Sequence, residues 1–217
     1  APNIKSGSDA RVFLEELRLL LLYTEVSDCK MEEGSLRCDA NISLRPIDSK
    51  TLGTKTEVKN MNSFRAVESA LNFEVIRQEQ LLSKGASVVQ ETRHWDEEKK
   101  ETIPMRSKEG SSDYRYFPEP DLQPLSLTDE MIKKLSLDLP ESPAQRRRRF
   151  EAKYELSSGE AVLFTENRSM GDFFESIAAE YSDYNSLAKW VQGDLLFQLR
   201  EYNKTFSEIK TPLFIEL

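Results

Sequence analysis

Two short stretches of the chain carry charged, amide or hydroxyl side chains at every second position. Those of the first stretch are Arg37, Asp39, Asn41 and Ser43, and those of the second are Lys55, Glu57 and Lys59. Carboxylates can bind Mg²⁺ through a few oxygens, while lysine and arginine neutralise the charge that develops on a phosphoryl group during transfer. The mixture therefore suits phosphoryl transfer, provided that the two stretches lie side by side.

The same pattern also has a purely structural interpretation. A half-buried antiparallel sheet normally exposes one polar face, and each cross-strand ion pair on that face stabilises the fold by only about 0.2–1 kcal/mol. The sequence contains no glycine-rich phosphate-binding motif, so a nucleotide would have to be held by side chains. The pattern alone leaves both interpretations open.

Hydrophobic periodicity predicts the elements that position these side chains. Residues 35–45 alternate strictly between polar and apolar, and residues 54–60 form a second extended segment, which together predict a hairpin. The helical spacing from Ala10 predicts a buried helix, and a capped helix over residues 64–84 should pack across the sheet. Shorter strands are expected at residues 88–95, 102–107 and 113–117.

The second part of the chain shows helical patterns only. Pro118, Pro120 and Pro124 break regular structure, and no alternating pattern follows them. Helices are expected from Thr128, Ser142 and Ser157, and over residues 170–181 and 184–202. We therefore predict an α+β domain with an antiparallel sheet and long helices over residues 1–127, and an all-helical domain over residues 128–217.

Two further motifs each allow two interpretations. Residues 113–121 read DYRYFPEPD, a composition that can brace a pocket or stack on a base but also suits a structured linker. Four consecutive arginines lie inside a predicted helix: Arg146, Arg147, Arg148 and Arg149. They suit contacts with nucleic-acid phosphates or a solvated helix face near acidic residues.

Composition excludes several classes of protein. The net charge of -8 argues against bulk wrapping of nucleic acid, and no apolar run approaches the roughly 18 residues of a membrane span. Cys29, Cys38 and His94 fit neither a zinc site nor a disulfide framework, so we expect a reducing, cytoplasmic setting. No initiator methionine is present, and Thr211 and Pro212 are typical of the start of a helix although the sequence ends at Leu217, so we expect an internal fragment.

Several motifs, taken in order, resemble one enzyme family. Residues 33–46 read EGSLRCDANISLRP, and residues 53–55 and 57–64 read GTK and EVKNMNSF. QETR at 90–93, MR at 105–106, KE at 108–109 and DYRYFPEPDL at 113–122 follow. Together they resemble the B subunit of the bacterial aspartyl/glutamyl-tRNA amidotransferases over about the first 125 residues, and the helical remainder is similar in character.

The resemblance implies a fold and an activity. The expected fold is part of a cradle-shaped catalytic domain followed by a helical domain that stops before the family's tail domain. The expected activity is phosphorylation of the side-chain carboxylate of Glu-tRNA(Gln) or Asp-tRNA(Asn) with ATP and Mg²⁺, followed by displacement of phosphate by ammonia. The implied partners are an amidase subunit that releases the ammonia from glutamine, a small tethering subunit and the misacylated tRNA.

The resemblance also assigns roles to residues. The implied catalytic residues are Arg37, Asp39, Asn41, Glu57 and Lys59, and Asp39 and Glu57 are the implied metal ligands. Lys55, Asn60 and Arg115 are implied to bind the nucleotide or its phosphates, with Glu119 in support. The resemblance places zinc only in the family's N-terminal segment, which also supplies further metal ligands. Because that segment and the tail domain that engages tRNA are absent from this sequence, we expect the fragment to be inactive alone.

Other functions remain open for this sequence. The main alternative is a noncatalytic module that binds tRNA and docks other subunits. An archaeal-type relative specific for Glu-tRNA(Gln) is less consistent with the sequence, because that group carries an inserted domain that the covered stretch lacks. A scaffold with a degenerate site is disfavoured by the intact set of polar residues.

Overall fold

The structure, a computed structural model, describes residues 4–105 and 120–209. The chain divides into two compact units, Ala1–Leu137 and Asp138–Leu217. The first contains a four-stranded sheet and helices, and the second is helical. This confirms the predicted α+β class with a helical C-terminal region. Among the helices of the described ranges, none is long and apolar enough to cross a membrane.

The sheet has the strand order β1-β2-β3-β4. Its strands are β1 (Ala40–Ile42), β2 (Thr56–Lys59), β3 (Thr92–Asp96) and β4 (Glu101–Pro104). The predicted β1–β2 hairpin is confirmed as an antiparallel pair, with Asn41 opposite Glu57. The sheet is mixed rather than wholly antiparallel, because β2 and β3 are joined by a helical crossover and run parallel.

The first strand is much shorter than its alternating pattern. The ladder between β1 and β2 covers only Ala40 to Ile42, although the alternation spans residues 35–45. Asn60, directly after β2, has a φ of 62°, a left-handed conformation that turns the chain out of the ladder. Residues before β1 therefore have no strand left to pair with.

Two helices pack in the first unit. They are α1 (Gly7–Tyr23) and α2 (Phe64–Ser83). The Ser63 hydroxyl caps α2 by accepting a hydrogen bond from the Ala66 N–H, as predicted, and Gly85 with a φ of 73° follows its last turn. The core between the helices and the sheet includes Val58, Val67 and Trp95. In the part of the chain that the structure describes, side chains on the opposite face of the sheet, here called the open face, are partly exposed.

A further helix, α3 (Asp129–Asp138), begins after Thr128, whose hydroxyl accepts a hydrogen bond from the Met131 N–H at 3.2 Å. Helices α4 (Pro143–Tyr154), α5 (Ser158–Glu166), α6 (Arg168–Ala178), α7 (Tyr184–Trp190) and α8 (Leu196–Glu201) form the second unit. Capping boxes at Ser142 and Ser157 start α4 and α5, as predicted. Phe150, Phe164 and Phe174 are fully buried in its core. The helix predicted over residues 184–202 contains a π-helical segment, Val191–Leu195, between α7 and α8.

Candidate functional site

The open face of the sheet brings together predicted site residues from both stretches. In β2 the alternate residues Thr56 and Val58 are buried against α2, so Glu57 and Lys59 lie on the opposite face. Lys59 Nζ lies 3.9 Å from Asp39 Oδ2 and 3.6 Å from Glu57 Oε1. The side chains of Asp39, Glu57 and Lys59 are 39%, 33% and 35% exposed, so a ligand can reach all three.

A cavity adjoins this face. Its volume is about 310 Å³. The predicted site residues that line it are Arg37, Asp39 and Asn60, and the other lining residues are Met31, Glu32, Glu33, Gly34, Leu36, Cys38, Met61 and Asn62. The left-handed backbone at Asn60 turns the end of β2 into the wall of the cavity. A nearby cavity of about 290 Å³ is lined by some of the same residues, Met31 and Asn62 among them.

The remaining predicted site residues make no comparable contact with Asp39, Glu57 and Lys59, or lie outside the described residues. Asn41 lies opposite Glu57 in the ladder and is exposed. Lys55 is exposed just before β2, and neither it nor Arg37 forms an ion pair with another described residue. Both cations can therefore turn toward an anion. Arg115 and Glu119 lie outside the described residues, as does the strand predicted at residues 113–117.

The two carboxylates meet only part of the requirement for a metal site. The described ranges hold no group of three or more histidine, cysteine, aspartate or glutamate residues arranged to bind a metal. Mg²⁺, however, is usually bound by one or two protein carboxylates together with water and substrate phosphate oxygens. Asp39 and Glu57, both within 4 Å of one ammonium group, fit such a partial site once Lys59 turns toward the phosphate.

Thr92 is a member of the open face that sequence reasoning missed. It lies opposite Glu57 in the parallel ladder, and its hydroxyl donates a 2.8 Å hydrogen bond to Glu57 Oε2. The residue belongs to the QETR motif, but its contact depends on the register between β2 and β3. No local pattern specifies that register, because a helix separates the two strands.

A buried ionic network lies behind the sheet. Glu74 on α2 is fully buried and accepts two 2.9 Å hydrogen bonds from Arg77, and Arg93 Nε lies 3.2 Å from the same carboxylate. Burial alone raises the pKa of Glu74, but hydrogen bonds from Arg77, Thr102 and Gln78 outweigh it and lower that pKa. The sequence signal was available, since Glu74 and Gln78 continue the buried stripe of Val67 and Leu71.

The arginine run is largely structural. Arg146 is 4% exposed, and its Nη2 lies 2.6 Å from Asp172 Oδ1 and 3.0 Å from Glu175 Oε2. Arg149 pairs with Glu141 and Glu175, which raises the pKa of its guanidinium. Arg148 is exposed. Arg146 and Arg149 thus hold α4 against α6 and are not part of an open phosphate-binding surface.

Sequence comparisons identify what the chain resembles. Residues 1–133 match a family model described as the GatB/GatE catalytic domain. The chain is 47% identical, over 96% of its length, to the B subunit of the aspartyl/glutamyl-tRNA(Asn/Gln) amidotransferase of Carboxydothermus hydrogenoformans. It is 48% identical over 97% of its length to that of Moorella thermoacetica, and 45% identical over 100% to that of Caldanaerobacter subterraneus. It spans 43%, 44% and 46% of these three relatives.

Proposed function

The chain belongs to the GatB/GatE catalytic-domain family, and from this membership we propose that it forms part of the site where a tRNA-dependent amidotransferase activates and amidates its substrate. The names of its relatives point to aspartyl- or glutamyl-tRNA as that substrate. The observation that carries the proposal is the position of Lys59 between Asp39 and Glu57 on an accessible sheet face beside a cavity.

The proposed reaction has two steps. A side-chain carboxylate oxygen of Glu-tRNA(Gln) or Asp-tRNA(Asn) attacks the γ-phosphorus of ATP, which gives an acyl phosphate and ADP. Ammonia then attacks the acyl carbon, and the bond to the phosphate oxygen breaks to leave the amide and inorganic phosphate. Phosphoryl transfer depends mainly on positioning and on neutralising charge. A sheet face on which one ammonium group lies within 4 Å of two carboxylates can contribute to both.

Roles for individual residues follow from their chemistry and position. Arg37, Lys55 and Lys59 neutralise phosphate charge, and Asn41 and Asn60 orient polar groups by hydrogen bonds. Asp39 and Glu57 would hold Mg²⁺, directly or through water, and the ion would supply further charge neutralisation. Arg115 and Glu119 are proposed to bind and support the phosphates from the segment outside the described residues.

The proposed partners extend beyond this chain. An amidase subunit releases ammonia from glutamine, a small subunit tethers the two, and zinc belongs to another segment of the full-length protein. We propose a cytoplasmic location for the assembled complex. The relatives are each named as one subunit of an amidotransferase, which supports assembly with other subunits.

The first test replaces Asp39 with alanine in the full-length subunit, assembled with its amidase partner. We expect Asp39→Ala to reduce ATP- and glutamine-dependent conversion of Glu-tRNA(Gln) by at least about 100-fold, because a charge-stabilising group at the reacting centre is lost. Binding of the tRNA should stay near the wild-type level. Asp48→Ala, which removes an exposed carboxylate from the neighbouring loop, is the matched control.

Each outcome separates two functions. Loss of conversion with retained tRNA binding supports a catalytic role for the sheet face. Full conversion by Asp39→Ala contradicts it and supports the noncatalytic module that binds tRNA and docks other subunits. A salt-sensitive tRNA affinity without ATP binding is then the expected behaviour.

A further inference from the structure

The two oxygens of the Glu57 carboxylate have different environments. Oε2 accepts the hydrogen bond from the Thr92 hydroxyl at 2.8 Å, whereas Oε1 faces Lys59 Nζ at 3.6 Å. A carboxylate without such a donor can rotate and exchange its two oxygens. The hydroxyl of Thr92 therefore defines which oxygen stays engaged within the sheet and which is left for the ammonium group and a ligand.

Thr92 is itself held at both ends of its backbone. Its carbonyl accepts a hydrogen bond from Met105 N at 2.9 Å, and the Glu57 N–H donates to the carbonyl of the preceding residue, Glu91, at 3.0 Å. These bonds fix the register of Thr92 on β3 relative to Glu57 on the neighbouring parallel strand β2. The hydroxyl thus has a defined direction toward the carboxylate.

The next residue anchors the strand from behind. Arg93 is buried and binds Glu91 Oε1 at 2.6 Å, Thr102 Oγ1 at 2.8 Å and the Thr102 carbonyl at 2.6 Å. These contacts tie β3 to β4 and to the loop before β3. A rigid backing of this kind limits how far Thr92 can shift when a ligand binds in front of it.

We propose that Thr92 is a positioning residue, whose hydroxyl orients the Glu57 carboxylate so that Oε1 faces Lys59 and the ligand. The inference rests on the proposed function of the sheet face and adds to it a residue with no direct contact to the reacting groups. Loss of a hydrogen bond that orients a metal- or phosphate-facing carboxylate typically lowers activity by about 10- to 100-fold.

The test compares variants in the full-length subunit, assembled into the complex, by the rate of Glu-tRNA(Gln) conversion. Thr92→Val keeps the shape but removes the donor, and we expect kcat to fall by at least about tenfold. Thr92→Ser keeps the donor and should restore most of the activity. Thr51→Val, the same change at an exposed loop threonine, is the matched control and should leave the rate unchanged.

A double-variant cycle separates positioning from a general structural effect. Glu57→Asp draws the carboxylate back from Thr92, so Thr92→Val should add little further loss in that background. Equal losses in Thr92→Val and Thr92→Ser, or independent losses in the cycle, would overturn the positioning role. If Thr92→Val lowers the amount of folded complex, Thr92→Ser and Thr92→Ala are compared at equal amounts of folded complex.

The proposed function and the positioning role fail in different ways. Wild-type activity in Glu57→Gln would reject the function proposed for the sheet face. An inactive Glu57→Gln variant together with wild-type activity in Thr92→Val would reject the positioning role alone.

Discussion

Glu74 shows how a single buried charge can be retained in a small α+β unit. Its carboxylate is completely enclosed, and its hydrogen bonds come from Arg77, Gln78 and Thr102. A buried ion pair is weak support for stability when compared with well-packed apolar residues, but removing one partner leaves the other charge buried and uncompensated. The cost of losing Glu74 should therefore be high.

We predict that Glu74→Ala destabilises the first unit by about 3–5 kcal/mol, because Arg93 is then left buried with one carboxylate fewer. Urea unfolding followed by fluorescence of the buried Trp95 measures this change. Glu79→Ala, on the exposed side of the same helix, should change the free energy of unfolding by less than about 0.5 kcal/mol. Equal effects of the two variants would contradict the assigned role of the network.

The residues of the open face were predictable to the extent that their contacts are local. Asp39, Glu57 and Lys59 meet because one hairpin joins their strands, and alternation places them on one face. Thr92 was missed because its partner lies 35 positions away across a parallel pair. For Glu74, the stripe of Val67 and Leu71 indicates a buried position on α2, but no local pattern discloses the arginine that meets it from β3.

Helices α5 and α6 approach each other closely at Gly171. A Cβ atom added to Gly171 would lie 2.4 Å from the Phe164 carbonyl oxygen and 3.1 Å from Arg146 Nη2. A residue with a Cβ atom fits this contact only if the two helices separate. The short distance between α5 and α6 thus depends on the absence of a side chain at residue 171.

Gly171→Ala should destabilise the second unit by about 1–3 kcal/mol through overpacking, although alanine favours helix more than glycine does. Gly159→Ala in α5 is the control, because a Cβ there meets nothing within 4 Å. That variant should be neutral or stabilising by up to about 1 kcal/mol. Thermal unfolding monitored by circular dichroism compares them, and a stabilised Gly171→Ala would refute the close-approach argument.

The elements were predicted more accurately in position than in length or pairing. Caps at Ser63, Ser142 and Ser157 begin helices as expected, since capping depends on a few adjacent residues. The start of the first strand at Ala40 was not predictable, because the backbone turn at Asn60 in the partner strand leaves the residues before β1 without a pairing partner. The π-helical segment Val191–Leu195 was likewise not predictable, because its residues fit an ordinary helical pattern and carry no local signal for a π-helix.

At the scale of the whole chain, each unit contains a carboxylate that ion pairs and hydrogen bonds hold at a lowered pKa: the fully buried Glu74 in the first unit and the partly buried Glu175 in the second. Burial raises the pKa of Glu175, but hydrogen bonds from Arg149 and Tyr154 outweigh it, as those from Arg77, Thr102 and Gln78 do for Glu74. A carboxylate whose pKa is lower in the folded than in the unfolded state stabilises the fold above its ordinary pKa of 4.5. That stabilisation is lost as the pH falls through the folded pKa.

Acid should therefore destabilise both units. We predict that the free energy of unfolding decreases as the pH is lowered from about 5 to 3, and that Glu74→Gln makes the first unit less stable but less sensitive to pH. Glu175→Gln should do the same in the second unit. Urea unfolding at several pH values measures both slopes, and an unchanged pH dependence in the variants would contradict the assignment.

The parallel pairing of β2 with β3 determines when the proposed site assembles. Glu57 and Thr92 come together only after the intervening chain, including all of α2, has folded back across the sheet. Residues so far apart in the sequence lose more loop-closure entropy when they come into contact than the residues of a hairpin do. Such contacts therefore form later and more slowly than a hairpin. During synthesis, β1 and β2 leave the ribosome before β3, so Asp39, Glu57 and Lys59 are present while Thr92 is still unplaced. Emergence of β3 from the ribosome marks the earliest moment at which the face can acquire its final geometry.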